Sequence, residues 1–146
     1  MSASDDIKPP KFNIINVSAA EMHEKFGYPI SAALCGEGEW RFGTVIGKSK
    51  PSIALRTILD LSRLTEVYFL QEGENDEEQW IFLAKHKSGN YVYFSASCDY
   101  TGFDCQGGGE IIIDTNIKDL WQLGITTSHR EIIVESLGLK VCKCRH

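Results

Sequence analysis

Four runs rich in β-branched and aromatic residues follow one another through the second half of the chain: Glu66–Leu70, Trp80–Ala84, Tyr91–Ala96 and Ile111–Ile113. Residues of this kind suit a pleated, half-buried surface. Ser88-Gly89-Asn90, between the second and third runs, is a tight-turn sequence, and Gly89 and Asn90 both tolerate positive φ. Strands joined by short connections pair antiparallel, because a parallel pair needs a crossover of a dozen or more residues. The connection Glu72–Glu78 is acidic and reads as a solvated loop. Earlier in the chain, Trp40 and Phe42 alternate with polar neighbours and mark one more short strand. Phe12–Val17 reads as a short strand or an extended lead-in.

Helices frame these runs. Ser18-Ala19-Ala20-Glu21 has the form of a capping box, opening a short helix through about Phe26 with Gly27 as its stop. Met22 and Phe26, four apart, would share its buried face. Pro51 starts a second helix, with Ile53, Leu55, Ile58, Leu59 and Leu61 as its apolar face. Asp114 or Thr115 would cap a third, carrying Ile117, Leu120 and Trp121 and stopped by Gly124. Ser128-His129-Arg130-Glu131 has the form of a second capping box, for a last helix ended by Gly138. The fold class expected is α+β: an antiparallel sheet of four or more strands, a meander, with helices packed on one face.

At 146 residues the chain is long enough for one domain with a real core. The boundaries read are a flexible N-terminal arm at 1–11, a single α+β domain at 12–139 and a basic C-terminal tail at 140–146. A net charge of −5 points away from nucleic acid, because phosphate binding needs a basic face. The opening residues lack the basic start and apolar stretch of a secretory signal. No apolar run approaches the ~20 residues of a membrane helix. The five cysteines are an odd set in a chain without such a signal, which fits thiols in a cytoplasmic, reducing setting. Gly47-Lys48-Ser49 does not complete a phosphate loop, since Phe42 stands where the first glycine is needed.

Cys98–Gly109 is unlike the rest. It holds two cysteines, two aspartates, two aromatics and four glycines between two strand-like runs. If those runs pair, the stretch is the wide end of a hairpin and Cys98 and Cys105 face one another. The simplest reading is structural: buried thiols pack as small hydrophobes, and the aspartates cap turns. A second is a partner-binding surface made by Asp99, Tyr100, Thr101, Phe103, Asp104 and Gln106, with an unknown protein as the partner. A third is a thiol pair, Cys98 with Cys105, active in redox chemistry or holding a metal. Zinc needs four ligands, and the six residues between these cysteines exceed the usual spacing. Cys142, Cys144 and His146 could complete such a set, but they also read as a dispensable tail. A nucleophilic cysteine needs a partner base, and none of His23, His86, His129 and His146 stands in a catalytic context. His129, in the first turn of a capped helix, reads as a surface residue. The sequence thus favours an interaction or regulatory module over an enzyme, with no cofactor and no metal.

Overall fold

The computed structural model describes residues 10–35, 39–44, 55–73, 79–101 and 104–137, and for 35, 39, 42–44, 55, 98–101 and 104–107 the backbone alone. The expected arm up to residue 9, the start of the helix at Pro51, most of the acidic connection, Phe103, Gly138 and the tail lie outside the described residues.

The fold is α+β, built on a five-stranded sheet. Its strands are β1 (Glu39–Thr44), β2 (Leu64–Gln71), β3 (Trp80–His86), β4 (Tyr91–Thr101) and β5 (Asp104–Asp114), in the order β1-β5-β4-β3-β2. β2 to β5 are antiparallel neighbours in sequence order. β1 joins β5 in parallel, so the sheet is mixed rather than a simple meander. A parallel neighbour requires a long connection, and the stretch from β1 to β5, which contains β2, β3 and β4, supplies it.

The helices do not share one face, which corrects the sequence reading. Helix α1 (Ala19–Cys35) buries Met22, Phe26, Ile30 and Ala33 against Phe82, Ala84, Val92, Phe94, Ile111 and Ile113. The opposite face carries Ile81, Leu83, Tyr93 and Ile112. Those residues pack with Leu120, Trp121, Ile125, Ile133 and Val134, from the segment after β5. Residues 80–84 and 92–94 are buried on both faces, and an apolar run without alternation is the mark of a covered strand. A register shift between Val67 and Phe69 lets Val67 face one side while Tyr68 and Phe69 serve the other.

α1 starts as its sequence implies: the Glu21 N–H donates to Ser18 Oγ at 3.1 Å. It does not stop at Gly27 but runs past Pro29 to Cys35. The apolar spacing Met22, Phe26, Ile30, Ala33 continues beyond the glycine, and burial of that stripe outweighs the local cost of Gly27 and Pro29. The next helix, α2 (Leu55–Ile58), ends early because Asp60 accepts from the Ser62 N–H and starts a 3₁₀ turn at Leu61–Arg63. Asn116, not Asp114 or Thr115, caps α3 (Ile117–Asp119), accepting from the Lys118 and Asp119 N–H groups. A π-helical turn, Leu120–Gly124, follows, closed by the Ile125 N–H on the Leu120 carbonyl. The last helix, α4 (Thr127–Ser136), has its N-cap at Thr126, two residues before the expected one, so Ser128 lies within its first turn.

Gly89 sits in the β3–β4 turn with φ +95°, as its position between two strands requires. Before α1 the chain is an extended lead-in. The Ile15 N–H donates to the Val67 carbonyl on edge strand β2, and the Phe12 ring lies 5.6 Å from Tyr68 and 5.7 Å from Trp121.

Candidate functional site

The stretch singled out in the sequence is mostly paired strand rather than loop. Cys98 stands opposite Gly107, Asp99 opposite Gln106, Tyr100 opposite Cys105 and Thr101 opposite Asp104. Among the described residues, the neighbouring strands are in register with this ladder only short of these rungs. β3 pairs with β4 only as far as Trp80 with Ala96, and β1 with β5 only as far as Glu39 with Gly108. Beyond those rungs, among the described residues, Ser97–Thr101 and Asp104–Gly107 are in register with β4–β5 partners alone. At ~3.4 Å per residue, the segment Ser97–Thr101 makes a two-stranded arm of about 17 Å.

The register also corrects the expected opposition of Cys98 and Cys105. With Thr101 fixed opposite Asp104, the two cysteines lie at unequal distances from that rung and become diagonal neighbours. Diagonal positions are about 7–8 Å apart, whereas disulfide Cβ atoms approach to about 3.5–4.5 Å. Of the sequence candidates, Asp99, Tyr100, Thr101, Asp104 and Gln106 lie on the arm.

At the foot of the arm is a pocket of about 250 Å³ that sequence reasoning missed. β4 and β5 supply Ser95, Ser97 and Glu110, the entry to β3 supplies Gln79, and the first turn of α4 supplies Ser128 and His129. The signal for it was the alternation in Tyr93-Phe94-Ser95-Ala96-Ser97, where one face of β4 turns polar while the other stays apolar.

His129 is buried, not on the surface as its helix position implied. Its Nδ1 meets the Tyr93 hydroxyl, and its Nε2 meets Gln79 Oε1. An amide oxygen only accepts, so the neutral ring donates from Nε2 and accepts from Tyr93 at Nδ1. Burial pushes the His129 pKa below the usual histidine value, with the Glu110 carboxylate pulling weakly the other way. Burial also pushes Tyr93 up to about 12, against hydrogen bonds from Ser95 and Thr126. At neutral pH the phenol keeps its proton and the imidazole stays uncharged. Both ring nitrogens are engaged, so neither is free to take a proton from a bound molecule. Glu110 is largely buried and forms an ion pair with Arg41 of β1, whose side chain is mostly exposed. The pocket thus presents a carboxylate and serine and threonine hydroxyls beside the hydrogen-bonded chain Tyr93–His129–Gln79.

The network sets a pH dependence. A histidine whose folded pKa lies below its unfolded value of about 6.5 binds fewer protons in the folded state over that interval. Its contribution is fully present above about pH 6.5 and is lost as pH falls through 6.5 toward the folded pKa. Urea midpoints of the parent should fall between pH 7.5 and 5, and His129→Gln should flatten that slope whatever its level at pH 7.5. Asp60, lowered chiefly by its hydrogen bonds from Ser62, titrates further down and leaves this window clear. Parallel pH profiles for the two proteins would contradict the assignment.

Among the described residues no helix is long and apolar enough to cross a membrane. Compared with family models, curated proteins and solved structures, the chain matches none.

Proposed function

We propose that the protein is an interaction module that binds a partner protein through the β4–β5 arm. Asp99, Tyr100, Thr101, Phe103, Asp104 and Gln106 are its contact residues. The observation that supports this reading is that, among the described residues, the β4–β5 ladder extends beyond the rungs of both of its neighbours. An isolated two-stranded ribbon is marginally stable in water. Unpaired strand edges are templates for another chain, through β-strand addition. A fold that keeps such an arm carries a local cost that partner contact would offset. The thiol-pair alternative gains no support from the register, which sets the two cysteines diagonally.

Removal of the arm tests this reading. Ser97 and Gly108 are directly opposed, so a two-residue Asn-Gly turn can replace Cys98–Gly107 without disturbing the sheet below. Parent and armless protein are compared by circular dichroism and by quantitative crosslinking capture from cell extract. The expected result is a folded armless protein that no longer captures proteins held by the parent. A folded armless protein with the parent's capture set sinks the proposal.

A further inference from the structure

We propose that two copies of this chain pair edge to edge through the lead-in Phe12–Val17, antiparallel, about a two-fold axis at Ile14. The junction is independent of the arm, which belongs to β4 and β5.

The lead-in meets the outer edge of β2, the last strand of the sheet. The Ile15 N–H holds it there, donating to the Val67 carbonyl at 2.7 Å. Phe12 packs with the apolar cluster on the α4 side of the sheet, and Val17 with the cluster on the α1 side. That is the alternation an extended segment imposes. Backbone groups alternate in the same way, so with Ile15 turned toward β2 the N–H and C=O groups of Phe12, Ile14 and Asn16 point away from the sheet. Among the described residues these groups make no backbone hydrogen bond.

The side chains leave this edge open as well. Ile14 is 63% exposed and Ile15 38%, with Asn13 and Asn16 exposed beside them. Folded proteins blunt an edge with charge, proline or a bulge. From Phe12 to Val17 there is no charged residue, no proline and no glycine. An uncharged β-forming run of about six residues, exposed on an edge, pairs with its like.

The same chemistry selects a second copy as the occupant. At a net charge of −5, two copies repel except where neither presents charge, and this stretch is such a place. With the axis at Ile14, that residue stands opposite Ile14 of the second copy, Phe12 opposite Asn16, and Asn13 opposite Ile15. Every outward N–H and C=O from Phe12 to Asn16 is then paired. The two Ile15 residues become diagonal neighbours on the other face, about 7–8 Å apart. The two copies of Lys11 fall at opposite ends of the ladder. The axis closes the assembly at a dimer, because each copy offers this edge once. One strand pair covers less than the roughly 1,200–2,000 Å² of a standard interface, so the dimer is weak and concentration-dependent.

Sedimentation equilibrium of the full chain in reducing buffer, from about 1 μM to about 1 mM, covers that range. A monomer–dimer equilibrium is expected. Ile14→Lys sets two cations face to face at the axis and should weaken it at least tenfold. Asn16→Pro removes an outward N–H, keeps both isoleucines and should weaken it as much. Leu123→Lys makes the first change at a similarly exposed apolar residue, 66% exposed, and should shift it less than twofold. In the parent, amide exchange at Ile14 and Asn16 should slow as concentration rises, a readout that needs no variant. The armless protein should dimerise as the parent does. A monomer throughout, growth beyond the dimer, or exchange at these amides that ignores dimerisation would overturn the inference. So would a dimer indifferent to Ile14→Lys or Asn16→Pro, one weakened equally by Leu123→Lys, or one lost with the arm.

Discussion

Gly109→Ala is expected to lower the thermal midpoint by roughly 10 °C or more, while Gly27→Ala, the same chemical change, raises it. At Gly109 an added Cβ would lie 1.8 Å from the Ser95 carbonyl oxygen and 2.8 Å from the Ala96 Cα. Both atoms are backbone of the paired strand, so no rotamer change relieves the overlap and β4 and β5 must separate. Overpacking costs about 1–3 kcal/mol where side chains can shift, and more where they cannot. At ~3–4 °C per kcal/mol for a chain of this size, a loss of about 3 kcal/mol gives that shift. Gly27 lies inside α1, and its nearest neighbour to an added Cβ is the His23 ring at 3.7 Å, an ordinary contact. Alanine there removes the entropic cost of a helical glycine, about 0.5–1 kcal/mol. Calorimetric midpoints that move the same way for both variants would contradict the close approach at Gly109.

Phe82→Ala should cost about 3–5 kcal/mol, measured as a drop in urea midpoint at unchanged slope. Phe82 is fully buried in the central strand region, stacked on Phe94 at 5.2 Å and met edge-on by Phe26 at 5.2 Å. Its removal empties the contact between α1 and the sheet, and Phe26 is fixed from the helix side and cannot fill the space. Phe82→Leu keeps most of the volume and should cost less than about 1.5 kcal/mol. A loss below 1 kcal/mol for the alanine variant would mean that α1 does not pack on this face as described.

What the sequence made legible were features decided within a few residues. The β-rich runs at 66–70, 80–84, 91–96 and 111–113 all lie in strands, and Ser18 caps α1 as its spacing with Glu21 implies. What it hid depends on long-range competition. Gly27 reads as a stop until Ile30 and Ala33 are known to be buried. Helices on both faces follow from strands buried on both sides, a pattern short apolar runs share with half-buried strands. With four glycines between two strand-like runs, Cys98–Gly109 looks like the wide end of a hairpin, whereas pairing with β4 carries β5 from Asp104 onward. The pocket joins Gln79, Glu110 and His129, which are far apart in the chain, and no local spacing announces it. Its histidine looked exposed because a first-turn position says nothing about what the helix docks against.

During synthesis β1 is made long before the strand it pairs with. Arg41 and Glu110, joined by an ion pair across that ladder, are 69 positions apart. At ~5–20 residues per second, the interval is on the order of 3–14 s. The antiparallel strands each meet a partner across a short connection, so their ladder can form from local contacts first. On that order β1 would dock last on the β5 edge, and the entropic cost of closing so long a loop grows only with the logarithm of its length. Until then a segment bearing Trp40 and Phe42 waits in the nascent chain, where an apolar β-former invites pairing with other chains. Arg41 and Gly43 interrupt it at alternate positions, and a charge and a glycine are what blunt such pairing. The same arginine that joins the finished sheet through Glu110 is thus a charge of the kind that blunts pairing of an unfinished strand.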